Sequence, residues 1–211
     1  MAKDSKKSRN NNTTMQTLIM ATNNEHKLRE IRQILGSRFQ VRGLADIGCN
    51  TDIPETSDTL QGNALQKARY VAEHFGVDCF ADDTGLEVDA LGGAPGIYTA
   101  RYGSINGYGD SHDANANIRC ILDKLSGQTR RTARFRTVIA LVRGGKEYLF
   151  EGRVEGRIVQ QLRGTQGFGY DPIFEVQDTG LTFAEMGPDE KNRLSHRGRA
   201  TEKLVSFLTS Q

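Results

Sequence analysis

Two segments in the second half of the chain, Arg131–Arg143 and Lys146–Val159, are separated only by Gly144-Gly145 and alternate apolar with charged residues over much of their length. Adjacent glycines accept the positive φ angles of a tight hairpin turn, so the pattern predicts two long antiparallel strands. A hairpin of that length is stable only when its apolar side is covered, and the rest of the chain has to supply the cover. Thr17–Ala21 is a short apolar run, followed by a polar turn and then by Leu28, Ile31, Ile34 and Leu35 at helical spacing, closed by Gly36. This reads as strand, loop, helix. Phe39–Leu44 predicts another strand, and Ala64, Ala68, Val71, Ala72 and Phe75 form one face of a helix over Asn63–Phe75. Ala114, Ile118, Ile121, Leu122 and Leu125 mark a third helix, entered through Asp110-Ser111-His112-Asp113, whose acids suit a helix N-terminus. A last helix runs from about Arg197 to Leu208. Strands alternating with helices ahead of a long hairpin predict an α/β protein with a mixed sheet, in which ligands sit where loops converge at strand ends.

Composition narrows the function. At 211 residues with 36% apolar and 26% charged residues, the chain suits one soluble domain, expected over residues 15–211. No apolar run is long enough for a membrane helix. A net charge of +2 is too small to predict a nucleic-acid partner, but it leaves a small anionic substrate open. Cys49, Cys79 and Cys120 are widely spaced, which favours neither a disulfide framework nor a zinc site and fits a cytoplasmic location. Residues 1–14 are polar and basic, without the apolar core of a secretory signal, and are expected to form a disordered tail.

Four polar clusters fall between these elements. Ala21–Lys27 (ATNNEHK) lies before the first helix, where unpaired backbone N–H groups and the side chains of Thr22, Asn24 and Lys27 would suit phosphate oxygens; equally, Asn24 could simply cap the helix. Asp82-Asp83 follows an apolar run, with Glu55 and also Glu87 and Asp89 as candidate neighbours. In extended backbone the two aspartates face opposite ways, so one of them with a helper acid could hold Mg2+; the alternative is a solvated D-T-G turn that ends the strand. Gly164–Phe174 (GTQGFGYDPIF) offers Phe168 as a stacking ring among glycines, or else an ordinary glycine loop. Lys191 and Ser195-His196-Arg197 offer a point charge and a planar donor, or else a solvated basic face. Together they provide what a nucleoside triphosphate requires, whereas no P-loop, nucleophile elbow or zinc-ligand spacing occurs.

The runs ATNNEHK, ETSDTLQGNALQKA, FADDTGLEVDALGGAPGIYTARY, GFGYDPIF and EKNRLSHRG, in that order, resemble the inosine triphosphate pyrophosphatase family, and the resemblance spans Met15 to Leu208. It implies an elongated two-lobed α/β fold with a central mixed sheet flanked by helices and the active site in the cleft between lobes. It also implies a homodimeric, Mg2+-dependent enzyme that converts dITP, ITP and XTP to the monophosphate and pyrophosphate. Carried onto this chain, the resemblance makes Thr22, Asn23, Asn24, Glu25, His26 and Lys27 the triphosphate loop. Asp83 becomes the catalytic and metal-holding acid, Glu55 its metal partner, and Thr84 a substrate contact. Phe168, Gly169, Tyr170 and Asp171 would form the base-binding loop, with Lys191, His196 and Arg197 completing the pocket. Arg197, or else a backbone N–H, is expected to offer a donor to O6 of the base. One departure stands out: relatives often carry Glu where this chain has Gly62, so a supporting carboxylate is expected to be missing or supplied elsewhere. A pyrophosphatase of modified pyrimidine triphosphates and a non-catalytic nucleotide-binding module are the alternatives at this stage.

Overall fold

The long hairpin is the axis of the molecule. In the computed structural model, which describes residues 15–210, strands β5 (Thr132–Arg143) and β6 (Lys146–Ile158) pair antiparallel from Thr132 opposite Arg157 to Arg143 opposite Lys146. Gly144 and Gly145 have φ of 55° and 73°, the left-handed values the turn demands. The predicted tail over residues 1–14 lies outside the described residues. Next to β5 runs β3 (Cys79–Val88), also antiparallel, from Cys79 opposite Val142 to Val88 opposite Ala133. Beyond it β1 (Gln16–Met20) and β2 (Phe39–Arg42) add in parallel, while β7 (Phe174–Val176) closes the other edge. The order is β2-β1-β3-β5-β6-β7, with the two-residue β4 (Pro95–Gly96) paired to β3.

Helix α1 (Glu25–Leu35) links β1 to β2, and α2 (Leu60–Phe75) leads from β2 to β3. They lie against opposite faces of the sheet. Phe80 and Leu141 pack with Leu28, Ile31 and Leu35 of α1 and with Leu204 and Leu208 of α6 (His196–Thr209). Their strand neighbours Ala81 and Ala140 pack with Ala64, Ala68 and Val71 of α2, as the two-residue period of a strand requires. Alanine on both sides of that second contact lets α2 approach the sheet closely. At the far end of the same strands a third group gathers Leu86, Val88, Phe135, Val154 and Ile158 with Ile118, Ile121 and Leu125, which α4 (Ala114–Lys124) and the residue closing it provide, and with Phe174 and Phe183. The fold is therefore the mixed α/β architecture expected from the sequence, with its core divided between two ends of shared strands. Two short helices, α3 (Tyr102–Ile105) and α5 (Pro188–Leu194), complete the chain.

Two local expectations change. Helix α2 begins at Leu60 rather than Asn63, because Thr59 caps it by accepting a hydrogen bond from the Gly62 N–H at 3.0 Å. Strand β3 does not end in a turn at Asp82-Asp83-Thr84 but continues to Val88, so both aspartates lie in mid-strand, paired opposite Ile139 and Val138.

Candidate active site

Mid-strand placement gives adjacent aspartates different surroundings. Asp82 faces the α1 and α6 side and is 1% exposed; Lys27 Nζ lies 3.1 Å from its Oδ1, and Arg197 Nε donates to its Oδ2 at 3.1 Å. Burial works to raise its pKa, but Lys27 and then Arg197 outweigh burial and hold the carboxyl well below the usual carboxylate range. Asp83 faces α2, where Asn63 Nδ2 donates to its Oδ2 at 3.2 Å and Lys67 Nζ lies 4.0 Å from its Oδ1. Here burial prevails over Lys67 and raises the Asp83 pKa. Adjacent carboxyls are thus shifted in opposite directions by their surroundings.

Lys67 is the junction between Asp83 and the loop that precedes α2. Its ammonium donates to the Asp82 carbonyl at 2.9 Å and pairs with Glu55, so a single cation bridges Glu55 and Asp83. Burial opposes its charge, but Asp83 and Glu55 prevail and raise its pKa. Among the described residues no group of three or more His, Cys, Asp or Glu converges as a metal cage. Glu55 and Asp83 do face one side chain, the Lys67 ammonium, and a Mg2+ ion shared with a polyphosphate needs only one or two carboxylates beside the phosphates and waters, so this pair could hold one. Glu87 and Asp89 lie elsewhere: they pair with Arg134 and Arg136 on the sheet, outside the cavity.

At the start of α1 the capping reading of the polar loop holds. Asn24 Oδ1 accepts from the N–H groups of His26 and Lys27, and Thr22 Oγ1 accepts from Asn24 N–H, so the loop is a capped turn. Thr22, Asn23, Asn24, His26 and Lys27 nonetheless line a cavity of about 670 Å3 that also takes in Glu55, Asp83 and Thr84. Glu25 does not line it: as the first residue of the helix it is exposed.

The other end of the cavity is organised by charge. Gly167 and Gly169 have φ of 76° and 62°, and a Cβ on Gly167 would meet Asp171 Oδ2 at 2.0 Å. That close turn lets Phe168 N–H donate to Asp171 Oδ2 at 2.7 Å. Lys191 Nζ donates to the same oxygen at 2.7 Å and to Glu30 at 2.6 Å, and Arg197 Nη1 donates to the second oxygen of Glu30. Burial raises the Asp171 pKa against the pull of Lys191. The Phe168 ring has Lys191 Nζ 4.9 Å from its centroid and stacks with His26 at 5.1 Å. His196 stacks on Phe135 at 4.6 Å with its Nδ1 buried and unpaired, and burial, then Arg197 and Lys191, push its pKa well below the ordinary value. At the cavity wall its charged form is thus disfavoured. Gly169 also lines the wall, but Tyr170 is 3% exposed and its hydroxyl donates to the Thr99 carbonyl, so its polar end is used in holding the fold.

Two features were not foreseen from the sequence. Glu30 joins Lys191 to Arg197; its only sequence signal is an acid one turn after Lys27, beside the apolar stripe of Leu28 and Ile31. Arg197 is not a free planar donor: its Nε, Nη1 and Nη2 already bond Asp82, Glu30 and Thr84. Two of the five N–H groups of a guanidinium stay uncommitted.

Comparison with known proteins identifies the family. A dITP/XTP pyrophosphatase of Porphyromonas gingivalis is 52% identical over 195 residues, covering 92% of this chain and 98% of the relative. A dITP/XTP pyrophosphatase of Christiangramia forsetii is 49% identical over 192 residues, covering 91% of this chain and 98% of the relative. The solved structure of a Ham1 protein from Coxiella burnetii superposes with a TM-score of 0.82 at 36% identity, covering 93% of this chain and all of that one. The model of the Ham1 family matches residues 18–207, and on that extent of agreement the chain belongs to the Ham1 family.

Proposed function

We propose that this protein hydrolyses non-standard purine nucleoside triphosphates, dITP, ITP and XTP, to the monophosphate and pyrophosphate in a Mg2+-dependent reaction. The observation that carries the reading is the arrangement around Asp83: a buried carboxylate fixed in mid-strand by donors from Asn63 and Thr84, at a cavity that has Lys27 and Lys67 on one side and the Phe168 ring on the other. The names of the relatives, dITP/XTP pyrophosphatases, support the substrate class. Asp83 and Glu55 would hold the Mg2+, which when bound neutralises phosphate charge and acidifies water.

In this reading Asp83 takes the proton from the water that attacks the phosphorus nearest the nucleoside. Lys67 and Lys27 bring positive charge to the phosphates as pyrophosphate departs. Asp82 stays ionised throughout and keeps Lys27 and Arg197 aligned. Phe168 stacks on the base in place of the His26 ring. The remaining N–H groups of Arg197 and the neutral His196 are the side-chain donors offered to a keto oxygen at position 6. An amino group there would leave them unpaired, a defect that discriminates strongly in a buried site. We take the working form to be a homodimer in the cytoplasm. The three cysteines are buried free thiols, and none of the described helices is long and apolar enough to cross a membrane.

Pyrophosphate release from dITP, XTP, ITP, dGTP and ATP, with and without Mg2+, tests the reading. Selective turnover of the first three that ceases on chelation is expected. Equal turnover of ATP would remove the assignment of the base pocket, and undiminished turnover in chelator would remove the metal. Sedimentation of the purified protein tests the dimer.

A further inference from the structure

Gly62 stands in the first turn of α2, where alanine would be the better helix former. The reason for glycine is Ser57. A Cβ at position 62 would come within 1.9 Å of Ser57 Oγ and 2.6 Å of Ser57 Cβ, and the second contact cannot be relieved by turning a hydroxyl. Glycine therefore lets the segment before the helix lie directly on it. Two further contacts hold that segment down: Thr56 N–H donates to Gln66 Oε1 at 3.0 Å, and Ser57 N–H donates to Asn63 Oδ1 at 2.9 Å. The segment carries Glu55, which reaches Lys67 one turn beyond Asn63.

Asn63 is fully buried, and its amide is used at both ends. Its oxygen accepts from Ser57, while its nitrogen donates to Asp83 Oδ2; Thr84 N–H donates to Asp83 Oδ1 at 2.9 Å. These two donors fix the plane of the Asp83 carboxylate. We propose that Asn63 is a positioning residue that aims Asp83 and ties its orientation to the Glu55 segment, and that Gly62 is present so that Ser57 can approach closely enough to hold Asn63. Asparagine suits the task because its amide donates and accepts from one rigid group; aspartate, of the same shape, would set a carboxylate against Asp83. The carboxylate expected at position 62 from the resemblance is thus replaced by a packing device serving the same acid. The inference rests on the reading of Asp83 as the base.

The test compares Asn63→Ala and Asn63→Asp with wild type in steady-state hydrolysis of dITP, and measures dITP binding by calorimetry in chelator. A misaimed base slows chemistry without weakening substrate binding, so kcat should fall about ten- to a hundredfold, more for Asn63→Asp, while KM and metal-free binding change less than about threefold. Retention of kcat in either variant overturns the proposal, as does a parallel loss of kcat and binding in folded protein. Should both variants unfold, Gly62→Ala decides from the partly exposed side of the helix: it should lower kcat with KM unchanged, and Ser57→Gly in the same chain should restore it. A Gly62→Ala enzyme with wild-type kcat, or one not rescued by Ser57→Gly, overturns the proposal. Asp83→Asn separates this from failure of the functional reading, because a fully active Asp83→Asn enzyme leaves no base to aim and removes both.

Discussion

Strand β3 carries two acidic pairs that meet opposite fates. Asp82 and Asp83, in its middle, are buried and meet cations from three helices: Lys27 of α1, Lys67 of α2 and Arg197 of α6. Glu87, near its end, and Asp89, just past it, are met by Arg134 and Arg136 of the neighbouring strand. Those arginines reach on to Glu155 and Glu151 of β6, and they keep 21% and 25% of their side-chain surface exposed. The second network is a cross-strand ladder, built from residues that the sheet register brings together anyway, and water screens it. The first network is assembled from distant parts of the chain around a cavity, where burial makes every charge costly unless it is paired.

That contrast can be broken by experiment. The largest expected effect is from Asp83→Asn, which should lower kcat by about 10²–10⁴-fold in a protein that still folds, since removal of a general base typically costs that much. A near-normal rate would place the chemistry elsewhere. Next comes Glu30→Gln, which removes the anion shared by Lys191 and Arg197. Breaking a buried pair typically costs about 3–5 kcal/mol, so a fall in Tm of several degrees is expected together with weaker discrimination between dITP and ATP. If both stay as in wild type, the Glu30 link is incidental.

The third effect depends on pH. His196 is held neutral, with its pKa well below the ordinary 6.5. Below pH 6.5 the unfolded chain binds a proton there that the folded protein does not. Stability from this group is therefore present above pH 6.5 and declines as pH falls below it, at about 1.4 kcal/mol per pH unit. The lowered Asp82 and Glu30 lose their contributions only below their ordinary values of 3.8 and 4.5, and the raised Asp83 and Asp171 act in the opposite sense. Melting curves of wild type and His196→Gln between pH 7 and 5 isolate the effect; the same slope in both proteins would assign it to other groups. The smallest effect belongs to the ladder: Arg136→Ala should cost about 1 kcal/mol or less and leave kcat unchanged. A large loss of activity would show that the two networks are coupled along β3.

The sequence by itself determined the local order of this protein. Periodicity marked the strands and helices, Gly144-Gly145 located the hairpin, and Asn24 and Asp113 cap helices as their residue types favour. Such features are legible because they depend on neighbours a few residues away. The aromatic and basic residues of the cavity were legible as well, through Phe168, Lys191 and the segment from Ser195 to Arg197. Their partners were not. Arg197 meets Asp82 across 115 positions and Lys191 meets Glu30 across 161, and nothing in the spacing of either pair announces it. Only the packing of α1 and α6 on the same face of the sheet brings those charges within reach. Gly62, a missing carboxylate when read in sequence, became the space for Ser57 only once the preceding segment lay on the helix. The division between Asp82 and Asp83 was likewise a tertiary decision. A strand sends successive side chains to opposite faces, but which helices wait there, and hence which carboxyl is held below its ordinary pKa and which is pushed above it, depends on the layers packed above and below the sheet.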